Sequence, residues 1–320
     1  VDACLPWLNI EGFQPHALHA PDRTWAETNC YVDLWIEVLH ALGLPAEAAL
    51  GFAARQDFEG DQFSFTKFPL EDLETLFGLR VQELAIYEPV EQHALLQMLR
   101  GRMCLIEVDP FWLPDTGIAA YRTTHGKTTI APNRIDLAGK RMEYFHNAGY
   151  FVLEGEDFDG VFPASTPYGA PFRPYVEFTT LEPLRLPAEE LRARAATLFA
   201  SHWAKRPARN PIRAFQMEAP ARAEALAGRG EQAFHDFAFH NLRLLGANFD
   251  LLGAGLTWLS DGADPRIAAC ETIAATAKGA QFQLARAVAR RRFEGFAQAL
   301  DPAAEAWERL FAAEPIQHAA

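Results

Sequence analysis

Positive charge is scarce in this chain of 320 residues, where 29 Lys and Arg stand against 42 Asp and Glu for a formal net charge of −13. A protein that grips a phosphate backbone without sequence preference needs a basic face, so nucleic-acid binding is excluded as the principal role. Cysteine is sparse as well, with four thiols at 4, 30, 104 and 270. They are too scattered for a disulfide scaffold and include no Cys-x-x-Cys pair for zinc, so no metal is expected and a reducing cytoplasm is the expected compartment. No apolar run reaches eighteen residues, which argues against a membrane span, and Val1 to Pro6 lack the charged and apolar regions of a signal peptide. No repeat of fixed period stands out. What remains is an ordinary globular composition, 49% hydrophobic and 22% charged, with enough chain for two domains and a sizeable core.

The stretch that organises the chain is Thr28-Asn29-Cys30-Tyr31-Val32-Asp33-Leu34-Trp35. Tyr31, Leu34, Trp35, Val38, Leu39 and Leu42 recur at the spacing of one buried helical stripe. Thr28 and Asn29 are both good N-caps, and Gly43 with Pro45 forms a stop, so a helix of about four turns is predicted with Cys30 in its first turn. The positive end of the helix dipole favours a thiolate there, whereas Asp33, within a turn, acts in the opposite sense. The structural alternative is a small core hydrophobe.

Residues 1–27 read as an irregular arm or short strand. Phe63, Phe65 and Phe68 interleave with polar residues, which predicts a loop leading into a short strand. The acids around Asp57, Glu59 and Asp61 match no calcium-loop spacing and read as a solvated loop. Helices are predicted from Pro69 to Gly78 and over 89–100, followed by a strand at Met103–Asp109 that buries Cys104. A hairpin follows, with arms Lys127–Ile135 and Arg141–Val152, and Pro132 marks the first arm as an edge or a bulge. The glycines and prolines of 154–175 form the best boundary, which gives domains 1–175 and 176–320. Beyond 185 the chain turns Ala-, Leu-, Arg- and Glu-rich, with helices expected from Pro187, over 231–259, over 265–298 and from Pro302 to Ala313, as in a helical bundle.

A nucleophilic cysteine needs a base for its proton and a group to hold that base in one tautomer. His40 lies about 15 Å along the helix from Cys30 and cannot reach it. His16, His19 and His318 lie in the arm and tail, and His93 and His202 read as structural. His125, just before the hairpin, is the candidate base, with a structural polar role as its alternative. Asn147 on the returning arm is the first choice of orienter, His146 the second and Asp136 the last. Pairing Ile135 with Met142 sets His125 opposite Val152 unless a bulge shifts the arms. In the helical half, Asp236, His240 and Arg243 fall at i, i+4 and i+7 and either line an acceptor pocket or satisfy one another in a bundle interior. Arg286, Arg290, Arg291 and Arg292, and Lys205, Arg206, Arg209 and Arg213, mark helix ends or a surface for an acidic partner.

The segments Glu27–Trp35, Gln56–Phe63, Lys67–Glu74 and Tyr144–Phe151 closely resemble the uncharacterised bacterial family called domain of unknown function 1839. More distantly, the first half resembles the amino-terminal domain of the butirosin-biosynthesis acyltransferases, which belong with papain-like cysteine enzymes. That similarity rests on the cysteine opening a helix, on Leu105–Asp109 followed by Leu113-Pro114, and on Tyr121 and His125 before a hairpin. It implies an α+β fold, a papain-like domain followed by an all-helical one.

The same resemblance implies an enzyme that moves an acyl or aminoacyl group from a carrier-protein thioester, through a cysteine thioester, to a small amine. Cys30 would be the nucleophile, His125 the base and Asn147 the orienter, with Asn29, His146 and Tyr121 in support. The expected partners are the acyl carrier protein and the amine; the expected cofactor is none, the acyl group riding on phosphopantetheine. The glutamine usual six residues before a papain-type cysteine falls at Thr24, which leaves the oxyanion hole to the Cys30 N–H and the Asn29 amide. The alternatives are a cysteine amidase or peptidase, and a non-catalytic binding or scaffolding protein on the same fold.

Overall fold

The computed structural model describes residues 3–163, 173–226, 228–293 and 295–312. The chain forms two compact units that interleave in sequence. One comprises Val1–Ala17, Asn29–Pro45 and Leu70–Arg185, and the other Leu18–Thr28, Ala46–Pro69 and Leu186–Ala320.

The first unit is an antiparallel sheet with helices. Its strands are β1 (Val81–Glu83), β2 (Arg102–Val108), β3 (Thr128–Asp136), β4 (Arg141–His146), β5 (Gly149–Glu154) and β6 (Val176–Thr180), in the spatial order β1-β6-β2-β3-β4-β5. Four helices accompany them: α1 (Cys30–Ala41), α2 (Leu70–Phe77), α3 (Val90–Met98) and α4 (Glu156–Val161). Alternation along the strands sorts the two faces. Ile106, Val108, Ile130, Tyr144, Leu153 and Val176 pack with Met98 of α3 and with Phe158 and Val161 of α4. The opposite face carries Glu177, which accepts a hydrogen bond from the Tyr31 hydroxyl of α1 at 2.8 Å. It also carries Phe145 and Tyr150, on which Phe13 of the amino-terminal arm packs.

Where the spacing predicts one buried stripe, α1 is buried on every side from Tyr31 to Leu39. Val32, Leu34, Trp35, Ile36, Val38 and Leu39 are each at most 1% exposed, and each such side chain contributes about 1.5–3 kcal/mol relative to exposure. Asn29 caps the helix by accepting from the N–H groups of Tyr31 and Val32, both at 3.1 Å, and Gly43 at φ +66 ends it.

Ile135 pairs with Met142 as the pattern predicts, and the register shifts between Pro132 and Arg134, the bulge that a proline inside a strand requires. The returning arm differs from expectation. It is two strands joined at Asn147-Ala148, with His146 opposite Gly149, so Tyr144–Phe151 is a second tight hairpin rather than one extended run. Val176–Thr180, expected beyond the boundary, pairs with both β1 and β2 inside the sheet. Pro167, Gly169 and Pro171 of the expected boundary segment lie outside the described residues, as do Ala313 and His318.

The second unit is helical: α5 (Ala188–Ala204), α6 (Pro211–Leu226), α7 (Glu231–Ala238), α8 (Leu244–Ser260), α9 (Ile267–Arg290) and α10 (Asp301–Ala312). A π turn at Phe239–Arg243 joins α7 to α8. Ala46–Arg55, to which the sequence assigns no element, is a run of tight 3-10 turns with eight buried residues. Phe58 and Phe63 form a single β-bridge where a short strand was expected. Gly246 and Gly51 are glycines because of close approach: a Cβ would lie 2.4 Å from the Trp25 indole nitrogen and 3.0 Å from the Phe199 backbone, respectively.

Candidate functional site

Cys30 is the first residue of α1 and its side chain is half-buried, whereas Cys104 and Cys270 are buried. Burial pushes the Cys4 and Cys104 thiols up to about 12, so neither supplies a thiolate near neutral pH. The N–H of Cys30 is among the first-turn donors that a helix leaves without an intrahelical acceptor.

His125 stands three residues ahead of β3, and its Nδ1 lies 2.6 Å from Oδ2 of Asp109, the residue that follows β2. Asp109 also accepts from the N–H groups of Phe111 and Gly126, both at 3.1 Å. Burial raises the Asp109 carboxyl, but the hydrogen bonds from His125, Phe111 and Gly126 outweigh it and hold the group below its ordinary value. The His125 ring stacks on Phe111 at 4.3 Å and 11°. In a neutral ring, donation from Nδ1–H to the carboxylate leaves the lone pair on Nε2, the arrangement a general base requires.

Asp109 is not evident from sequence because the hairpin offers Asn147, His146 and Asp136 as nearer orienters, all after His125. Yet β3 pairs with β2 as well as with β4, and Val108 opposite Thr128 brings the end of β2 beside the start of β3. An acid that closes an apolar strand and precedes a proline was the available signal.

α1 meets the sheet face that carries Leu105, Glu107 and Glu177. Tyr31 bonds Glu177, Glu177 pairs with Leu105 in register, and Glu107, two residues on, holds Lys127 at 2.8 Å. Asp109 is extended, at φ −84 and ψ 116, where it caps the turn that follows β2. The Cys30 sulfur and Nε2 of His125 make no hydrogen bond to any described residue, and none joins them to each other.

The other expected residues sit elsewhere. His146 is on the face packed by α3, where its Nδ1 lies 2.5 Å from Asp115 and its Nε2 lies 2.8 Å from the Thr128 hydroxyl. The Tyr144 hydroxyl donates to the same Asp115. With side chains only 1% and 5% exposed, His146 and Asp115 form a closed polar network rather than a support for His125. Tyr121 donates to Asp157 at 3.0 Å, and Arg122 pairs with that carboxylate at 2.5 Å. Asn147 occupies the β4–β5 turn at φ +44, a conformation that asparagine tolerates better than most residues. Its place in the chain is therefore set by the hairpin and not by His125. The Asn29 side-chain oxygen is committed to the helix cap. Asp136 bonds the Gly139 N–H within its own turn.

In the helical unit, Asp236, His240 and Arg243 do not converge. The His240 ring bonds the Asp236 carbonyl at 2.7 Å, Asp236 accepts from Gln232, and Arg243 bonds Glu27 at 2.9 Å and the Thr28 carbonyl at 3.2 Å. Of the basic clusters, Arg213 is paired with Asp301 and Glu308, whereas Arg286, Arg290 and Arg292 line a cavity of about 320 Å³.

A larger cavity, about 920 Å³, opens beside Asp109 in the first unit, with Ile106, Val108, Trp112 and Phe162 among its walls. Among the described residues no cluster of three or more His, Cys, Asp or Glu is arranged to hold a metal ion, and no helix is long and apolar enough to cross a membrane.

Fold and site together define a two-unit α+β protein whose antiparallel sheet carries a carboxylate-bound histidine at one end. The chain belongs to the DUF1839 family. The family's DUF1839 N-terminal domain matches residues 14–181 and its DUF1839 C-terminal domain matches residues 188–313. That division falls between β6 and α5. Among curated proteins none matches the chain.

Proposed function

We propose that the protein is a cysteine acyltransferase of papain-like design, in which Cys30 is the nucleophile, His125 the base and Asp109 the group that orients it. The observation that carries this reading is the 2.6 Å contact between His125 Nδ1 and Asp109 Oδ2, which leaves the second ring nitrogen as the proton acceptor. It is supported by a half-buried thiol at the first position of α1. Hydrogen bonds between catalytic groups are often long or unformed before substrate binds.

In the proposed cycle His125 takes the Cys30 proton, and the thiolate attacks the carbonyl of a carrier-protein thioester. The carrier thiol leaves and the acyl group is held on Cys30. An amine then attacks that thioester, and the sulfur departs as the amide forms. One thioester replaces another in the first half, so the enzyme has chiefly to position the groups and exclude water. The Cys30 N–H, at the positive end of α1, is the donor available to the developing oxyanion.

Incubation with an aminoacyl carrier protein, followed by intact-mass measurement, tests the reading. The expected result is an acyl adduct on the wild type that is lost in Cys30→Ala and released by added amine. An adduct that persists in Cys30→Ala contradicts the nucleophile. Release into water at the same rate with and without amine identifies a hydrolase, and no adduct on any variant favours a binding protein.

A further inference from the structure

We infer that the 920 Å³ cavity beside Asp109 binds an amphiphile that carries a protonated amine, with the ammonium held by Glu91 and the apolar body against Ile106, Val108, Trp112 and Phe162. The cavity is walled by the sheet face that packs against α3 and α4, opposite the face that meets α1, and as a binding site it does not rest on the function proposed above.

Three features of the cavity select this chemistry. Its walls are mainly hydrocarbon and indole, which favours a ligand with an apolar segment over a sugar or a phosphate. Its charge is one-sided: Glu88, Glu91, Glu107, Asp109, Glu156 and Asp159 line it, against Lys127 and Arg173. Most of these acids are already engaged, Glu107 by Lys127, Asp109 by His125, Glu156 by Arg122 and Asp159 by Lys140. Glu91 is the exception that matters, since it is half-buried on the first turn of α3 and has no ion-pair partner among the described residues.

Burial raises the Glu91 carboxyl above its usual value, and its own backbone N–H only partly offsets this. A half-buried carboxylate without a counter-charge is stabilised by any cation that reaches it. An anionic ligand would meet six carboxylates instead. Lys127 is neutralised by Glu107, and Arg173 is occupied with the Ile86 carbonyl, so neither offers an anion a free guanidinium or ammonium.

The test uses n-octylamine, 1-octanol and octanoate with full-length Cys30→Ala protein, so that binding is read without chemistry. Titration calorimetry at pH 7 is expected to give saturable 1:1 binding of octylamine and binding at least tenfold weaker for octanol and octanoate. Glu91→Gln is expected to weaken octylamine about tenfold or more, the loss of one charge-assisted hydrogen bond, while leaving octanol unchanged. Val108→Trp, which fills the cavity, is expected to abolish both, with circular dichroism confirming the fold. Equal binding of amine and alcohol, octanoate the tightest of the three, octylamine insensitive to Glu91→Gln, or no saturable binding overturns the inference. If octylamine binds as expected and Cys30 takes no acyl group from a carrier thioester, the cavity assignment stands and the transferase reading falls.

Discussion

Four cysteines in one chain differ only in what surrounds them, and their surroundings predetermine their reactivity. Cys4 hydrogen-bonds to the carbonyls of Arg102 and Pro132, and with Cys104 its thiol is pushed up to about 12. At pH 8 each is therefore held almost entirely as the unreactive thiol. Treatment of the folded protein with iodoacetamide at pH 8 is expected to label Cys30 and spare Cys4, Cys104 and Cys270; peptide mapping reads the result, and equal labelling of Cys104 would refute it. Asp109 gives the second prediction. Asp109→Asn is expected to lower acyl transfer about 10²- to 10⁴-fold with little change in circular dichroism, because the ring loses the charge that stabilises its protonated form. The pH dependence has a definite sign. A carboxyl held below its ordinary value in the folded protein adds stability that is present above the ordinary carboxylate range and lost as pH falls through the depressed value. The stability gap between wild type and Asp109→Ala, measured by urea denaturation, is accordingly expected to shrink as pH falls below about 4.

Among the elements, α1 is the most legible from sequence and carries the most consequence. Its stripe, its Asn29 cap and its Gly43 stop were all readable, and the structure starts the helix at Cys30 itself. Asn29→Ala is expected to cost about 1 kcal/mol, seen as a lower urea midpoint at unchanged m-value; no shift would mean that the cap is dispensable. The β3–β4 register and the bulge near Pro132 were legible too, because alternation fixes pairing and a proline cannot donate to the ladder. The second hairpin was not. Phe145 and Tyr150 face the core on either side of His146-Asn147-Ala148-Gly149, so the apolar pattern ran through the turn without a break. Asp109 was hidden for a different reason: strand order is a long-range property, and neither spacing nor propensity showed that β2 lies beside β3. Ala46–Arg55 escaped because tight 3-10 turns in a run of alanines have the periodicity of neither helix nor strand.

The chain as a whole does not divide where its composition changes. The compositional break near 175 lies one residue before β6, and the family boundary lies at 182–187. In space, however, Leu18–Thr28 and Ala46–Pro69 belong with the helical unit. Trp25 donates to the Ala274 carbonyl at 3.0 Å, and Gln56 donates to the Leu244 carbonyl at 2.9 Å. A fragment ending at Arg185 therefore strips these segments of their partners and exposes Trp25, Leu50 and Phe63, which are 6%, 0% and 0% exposed in the whole protein. Such a fragment is expected to bind the dye ANS and to unfold without a cooperative transition. A fragment that melts as cooperatively as the full chain would show the amino-terminal segments to be independent of the helices.

Catalysis by Cys30 and His125 requires communication between one sulfur and one imidazole. Its most direct measurement is the alkylation rate of Cys30 at pH 6.5 in the wild type, in His125→Ala and in Asp109→Asn. If His125 takes the thiol proton and Asp109 holds the ring, the rate is expected to fall tenfold or more in His125→Ala and by a smaller factor in Asp109→Asn. Identical rates in all three proteins, each folded by circular dichroism, would contradict it.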